Sequence, residues 1–210
     1  MGGPERIGRL IDAACTVIGE HADRLSALDA AIGDGDHGHN LKRGFHEIAG
    51  QRDVLTGLAL GPALQKAGMA LVMKVGGASG PLYGSLLMAM GKAADPPPAD
   101  ARALAGIWAE GIAAVKRRGR SEVGEKTMLD VLVPALEALQ TAAAEDLPCA
   151  ETLARVRRAA DDGLAATGPM LATKGRAAYL GERSIGHLDP GAQSSALLIG
   201  VVCDVLAEDR

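Results

Sequence analysis

Leu28-Asp29-Ala30-Ala31-Ile32-Gly33-Asp34-Gly35-Asp36-His37-Gly38-His39-Asn40 packs three carboxylates into eight positions and threads glycines between them. Upstream, Ile7, Leu10, Ile11, Ala14, Cys15, Ile18 and Leu25 recur at the three-and-four spacing of one helix face, with Pro4 where a first turn tolerates proline. Downstream, the same periodicity resumes and predicts a helix over 39–49. The acidic stretch is therefore a joint between two amphipathic helices, and the chain beyond repeats the alternation of helix and polar, glycine-rich joint.

Helices are predicted over 61–74, 81–93, 101–118, 127–144, 149–167 and 191–207, which makes eight in all. Asp100 is placed to cap its helix, Gly119 and Gly168-Pro169 to stop theirs, and Pro134 to kink its helix or mark a late start. The three prolines after Asp95 read as a short rigid turn, not a domain boundary. Hydrophobic residues make up 48% of the 210 but aromatics only 2%, and the apolar share is mainly Ala, Leu, Val and Met, which favours helix over sheet. The expectation is an all-α barrel or bundle of eight antiparallel helices, forming a single domain over 1–210.

Four joints hold versatile residues: 29–40, 75–84, 119–130 and 174–195. In an up-and-down arrangement the first, second and fourth gather at one end. Asp34 and Asp36 project from a turn, and Asp29 reaches in from the end of the first helix. Carboxylates so crowded repel one another unless a hard cation such as Mg²⁺ joins them. Read singly, Asp34-Gly35 is a turn and Asp36 an N-cap, so both readings stand at this point. No acidic residue follows where an EF-hand requires one.

Val75-Gly76-Gly77-Ala78-Ser79-Gly80-Pro81 aims backbone N–H groups outward at a helix start, a site for phosphate oxygens, although it lacks the Gly-Lys-Ser/Thr ending of a P-loop. Asp189-Pro190-Gly191-Ala192-Gln193-Ser194-Ser195 repeats that logic before the last helix, and Arg176 supplies a planar cation suited to phosphate. In Gly124-Glu125-Lys126-Thr127-Met128-Leu129-Asp130, Thr127 is a plausible N-cap, while Met128 reads equally as a surface for a flat ring or as ordinary core. The set points to metal-assisted phosphoryl transfer, since no Ser, Cys or His forms a defensible nucleophilic triad.

A net charge of −4 without a basic stripe excludes nucleic acid as a partner class. Cys15, Cys149 and Cys203 lack metal-ligand spacing and read as buried free thiols. With no leader pattern and no uncharged apolar run of about 18 residues, neither export nor membrane insertion is expected, which places the chain in the cytoplasm.

The four motifs, with Gly175-Arg176-Ala177-Ala178-Tyr179-Leu180-Gly181-Glu182-Arg183-Ser184-Ile185-Gly186-His187-Leu188 leading into the last, resemble in content and order the L subunit of dihydroxyacetone kinases, also found as the C-terminal domain of single-chain enzymes. The resemblance implies a helical barrel binding ADP or ATP, with two Mg²⁺ held by Asp29, Asp34 and Asp36. It implies that His37, Gly38, His39, Asn40, Ala78 and Ser79 line the phosphate and ribose side. Gly119, Met128, Arg176, Asp189, Pro190 and Gly191 close around the rest, and Arg176 has the catalytic role of meeting developing charge. It also implies a separate K-like subunit that holds the sugar, and either free ATP or a phosphotransferase-system M subunit as phosphoryl donor. Two alternatives remain: a nucleotide-binding regulatory module without phosphoryl transfer, and the nucleotide domain of a fatty-acid kinase, whose acidic loop differs.

Overall fold

The computed structural model describes residues 3–208. Helix α1 runs Pro4–Ile32, α2 His37–Gly50, α3 Arg52–Thr56, α4 Leu60–Lys74, α5 Ser79–Ala93, α6 Ala101–Gly119, α7 Leu129–Ala144, α8 Cys149–Ala166 and α9 Pro190–Glu208, with a 3-10 segment at Arg176–Ser184. No strand occurs among the described residues. The eight predicted helices are present, and α3 and the 3-10 segment are additions too short to show a periodic pattern.

Each long helix packs on the next, α1 on α2, α2 on α4, α4 on α5, and onward to α9, which packs back on α1. The ring is closed, a barrel whose interior is filled by Ile18, Leu25, Leu41, Leu71, Leu129 and Val131, all fully buried. With one Phe, one Trp and two Tyr in the chain, bulk cannot come from rings, and several helices instead approach closely at glycine. Between α4 and α5, a Cβ on Gly68 would lie 2.8 Å from the Gly84 carbonyl oxygen and one on Gly91 2.6 Å from that of Gly61.

Boundaries moved for local reasons. Asp100 caps α6 as expected, its Oδ1 accepting from Ala103 N at 2.7 Å. Helix α7 starts at Leu129, two residues after the expected 127, and Pro134 lies inside it, so the proline does not mark its start. Proline cannot donate to the Asp130 carbonyl four residues back, and α8 packs tightly against that carbonyl: a Cβ on Gly163 would meet it at 2.3 Å. Of the cysteines, only Cys203 is buried; Cys15 is half-buried, and Cys149 is exposed because it opens α8 ahead of the packed turns. Helix α9 is long and apolar enough to cross a membrane by length and composition, but 56% of that span is buried inside the protein, where it closes the ring.

Candidate functional site

In a closed up-and-down ring, alternate joints fall at the same end. The joints α1–α2, α4–α5, α6–α7 and α8–α9 do so here, and together they line a cavity of about 530 Å³. The third joint thus belongs with the other three. Only the first, second and fourth were expected to meet.

The acidic joint is built around Asp29. Its Oδ2 accepts from the backbone N–H of Asp36 at 2.9 Å and of His37 at 3.1 Å, so the start of α2 is held by Asp29 and not by a side-chain cap from Asp36. Gly35 turns the chain at φ +78°, a conformation that L side chains rarely adopt. Gly33 leaves space for the carboxylate: a Cβ there would sit 2.2 Å from Asp29 Oδ1. Asp29, Asp34 and Asp36 each offer an oxygen, and all three oxygens lie within 4.8 Å of one another. An all-oxygen, anionic set with two exposed members fits a hard divalent cation that retains water or phosphate ligands. Arg176, from the fourth joint, meets this cluster through Asp34, Nη2 to Oδ2 2.9 Å.

One wall of the cavity, at His37, Ser79 and Tyr83, belongs to a polar chain that runs inward to the start of α9. His37 Nδ1 is 2.8 Å from Ser79 Oγ, and its Nε2 is 2.9 Å from Ser194 Oγ. The Tyr83 hydroxyl sits 2.7 Å from Ser194 Oγ, 2.8 Å from Ser195 Oγ and 3.3 Å from the Gly191 carbonyl oxygen. Burial lowers the His37 pKa below its ordinary value against the opposing charges of Asp29 and Asp36. Burial likewise pushes the Tyr83 phenol up to about 12, with its bonds to Ser194 and Ser195 opposing.

The third and fourth joints are clasped by a buried lysine. Lys126 is 1% exposed, and its Nζ donates to the carbonyl oxygens of Thr167, Met170 and Gly168 at 2.6, 3.1 and 3.2 Å. Asp130 fixes the turn bearing it, accepting from the amides of Gly124 and Thr127. On the other side of the clasp, Thr167 Oγ1 accepts from Asp189 N at 3.2 Å, and Asp189 Oδ2 accepts from Ala192 N at 2.7 Å to cap α9. Burial raises the Asp189 carboxyl to about 7, with Asp130 adding to the shift and Ala192 N–H and Lys126 opposing it.

Asp29, Asp34, Asp36, His37, Ala78, Ser79, Gly119, Met128, Arg176, Asp189, Pro190 and Gly191 line the cavity. Gly38, His39 and Asn40 do not. Gly38 is where α1 and α2 touch, a Cβ there falling 1.9 Å from the Ala22 carbonyl oxygen. His39 is exposed and faces Asp23, while Asn40 is buried, takes a bond from Arg43 and lies beneath Gly76 of the second joint. A helix sends consecutive side chains to different sides, which is why the side chains of this run part company after His37. Lys126, Tyr83 and Ser194 were given no role from sequence. Tyr83 had one faint signal, as one of two tyrosines in an aromatic-poor chain; a lysine in a turn ordinarily reads as solvated.

Comparison with known proteins gives a consistent picture. Residues 31–204 match the DAK2 domain. The chain is 44% identical over 204 residues, 95% of its own length and 93% of the relative's, to the PEP-dependent dihydroxyacetone kinase 2, ADP-binding subunit DhaL, of Listeria innocua. It is 43% identical over 190 residues, 90% of this chain and 91% of the other, to the PTS-dependent dihydroxyacetone kinase, ADP-binding subunit DhaL, of Lactococcus lactis. Among solved structures it is similar to the dihydroxyacetone kinase from C. freundii in complex with AMP-PNP and Mg²⁺, with a TM-score of 0.73 and 26% identity. That likeness covers 94% of this chain and 33% of the C. freundii chain, so the protein spans about a third of that enzyme's length.

Proposed function

Because this chain belongs to the DAK2 domain family, we propose that it is the nucleotide-binding subunit of a dihydroxyacetone-type kinase, acting on a short ketose held by a separate K-like subunit in the cytoplasm. The single observation that supports this best is the convergence of three carboxylate oxygens within 4.8 Å at the wall of a cavity that four joints line. In this reading, residues 1–210 act as one domain.

Asp29, Asp34 and Asp36 are the residues to hold two Mg²⁺, which neutralise phosphate charge when bound. Ser79 and Ala78 present the N-terminus of α5, where free backbone N–H groups favour an anion. The start of α9 at Asp189-Pro190-Gly191 adds a second such terminus, with Met128 beside it: a Cβ on Gly191 would lie 3.5 Å from Met128 Cβ. Arg176 has its guanidinium largely exposed at the rim, placed to leave Asp34 for a phosphate and to meet charge that develops during transfer of the γ-phosphoryl group. The named relatives are PEP- or PTS-dependent, which supports ADP staying bound and being rephosphorylated by a phosphotransferase-system M subunit.

The test is a coupled assay of dihydroxyacetone phosphorylation. The purified chain alone gives no turnover, and activity requires the K-like subunit. Robust turnover by the chain alone refutes this reading.

A further inference from the structure

Helix α6 is ended by a left-handed residue, but that residue is Arg120, at φ +48°, and not the glycine before it. Gly119 is still helical, where glycine is the less stable choice and no backbone demand calls for it. Its surroundings do. A Cβ on Gly119 would lie 2.9 Å from Ser121 Oγ and 3.4 Å from Leu82 Cδ2. Without that carbon a notch stays open beside the Ser121 hydroxyl and Leu82, and all three residues line the cavity.

Ser121 is the second observation. It is 7% exposed, and among the described residues its hydroxyl bonds to nothing; only its backbone N–H is engaged, to the Lys116 carbonyl oxygen at 3.4 Å. The comparison with the opposite side of the site is direct: the hydroxyls of Ser79, Tyr83, Ser194 and Ser195 are all bonded to protein. A secluded hydroxyl with no partner costs stability unless something in the cavity meets it. Capping explains the backbone of this turn and leaves the hydroxyl over.

The position of the notch says which part of a ligand arrives there. Following the helix contacts around the ring, the α6–α7 joint stands opposite the α1–α2 joint that carries the three carboxylates. Around the notch the lining is apolar, from Leu82, Val115 and Met128. A ligand with its charged end at the carboxylates and their cations therefore brings its far, uncharged end to Ser121.

We propose that Ser121 is a specificity-determining residue that reads the base of the bound nucleotide, its hydroxyl bonding the polar edge of a purine admitted by the notch at Gly119. This rests on the nucleotide-binding reading above and deepens it. A hydroxyl both donates and accepts, so it can pair with either kind of group on that edge. Leu82 and Met128 offer apolar surface to the ring itself. A one-ring base is shorter and falls short of the hydroxyl, which makes the contact selective for purines.

The experiment is calorimetric titration of the full chain with the Mg²⁺ complexes of ADP and CDP, which share phosphates and ribose and differ in the base. Competition against ADP is used for the weaker ligand. Ser121→Ala is expected to bind ADP about fivefold more weakly, the scale of one neutral hydrogen bond, and CDP as the parent does. Gly119→Ala, which fills the notch, is expected to weaken ADP at least about tenfold, with its Tm without ligand no lower than the parent's because alanine suits the helix. Unchanged ADP affinity in either variant overturns the proposal. So does an equal loss for ADP and CDP in Ser121→Ala, which marks a contact to phosphate or ribose. If the parent chain itself binds no ADP, the nucleotide-binding reading fails and takes this proposal with it; if the parent binds and the variants bind equally well, only this proposal fails.

Discussion

Replacing Lys126 by Met tests whether the buried ammonium is the clasp between the third and fourth joints. Methionine fills similar volume without a donor, so the change removes hydrogen bonds more than packing. Of the three carbonyls that Nζ serves, Gly168 retains a bond from the Gly186 amide at 2.9 Å and Thr167 one from the Met170 amide at 3.3 Å, while Met170 loses its donor. Hydrogen bonds from a charged donor contribute about 1.5–3 kcal/mol each. The one carbonyl left without a donor thus destabilises the protein by ~1.5–3 kcal/mol, offset in part because the ammonium no longer has to be buried. That burial is what lowers the Lys126 pKa below its ordinary value, against the charge of Asp189. A net loss of about 2 kcal/mol is the expected outcome. For a chain of this length the unfolding entropy is ~0.4 kcal/mol per degree, so Tm falls by about 5 °C. Thermal unfolding followed by circular dichroism reads this directly, with Lys66→Met, an exposed lysine, as the control that leaves Tm unchanged. A fall of less than ~2 °C in Lys126→Met refutes the clasp.

Other outcomes follow from the same geometry. Asp189 is protonated in the native state up to about pH 7, whereas its ordinary value is 3.8, so its contribution to stability is complete below pH 3.8 and is lost as pH rises through 7. Asn cannot ionise and still accepts from Ala192, so urea unfolding of Asp189→Asn should gain on the parent by ~2 kcal/mol between pH 4 and 8, about half the unscreened value; a pH-independent difference counts against the raised carboxyl. Gly38→Ala puts a Cβ 1.9 Å from the Ala22 carbonyl oxygen, which forces α1 and α2 apart and destabilises by ~2–3 kcal/mol in chemical denaturation. Asp36→Ala removes one exposed carboxylate and is expected to leave Tm without ligand unchanged while abolishing Mg²⁺-dependent ADP binding in calorimetry; unchanged affinity removes Asp36 from the cation site.

The helices were legible in the sequence because each buries one face, and burying one face on a 3.6-residue period leaves a repeating pattern such as Ile7, Leu10, Ile11, Ala14. The joints were legible for the opposite reason: Gly-Asp-Gly-Asp and Gly-Gly-Ala-Ser have no periodic role to fill, so their composition reports local backbone demands and chemistry. Short pieces such as Arg52–Thr56 leave no period to read. Which residues of a motif face the cavity is a matter of helix rotation, and rotation is set by neighbours: Gly38 faces Ala22 and Asn40 lies beneath Gly76, contacts that no local pattern announces. The same holds more strongly for the buried polar groups. Lys126 meets carbonyls 41 to 44 residues away, and His37 meets Ser194 across 157 residues, pairings that exist only once the ring has closed. A hydrogen-bonding side chain in a sequence looks the same whether it faces water or a carbonyl, and only the tertiary structure, by excluding the water, decides which.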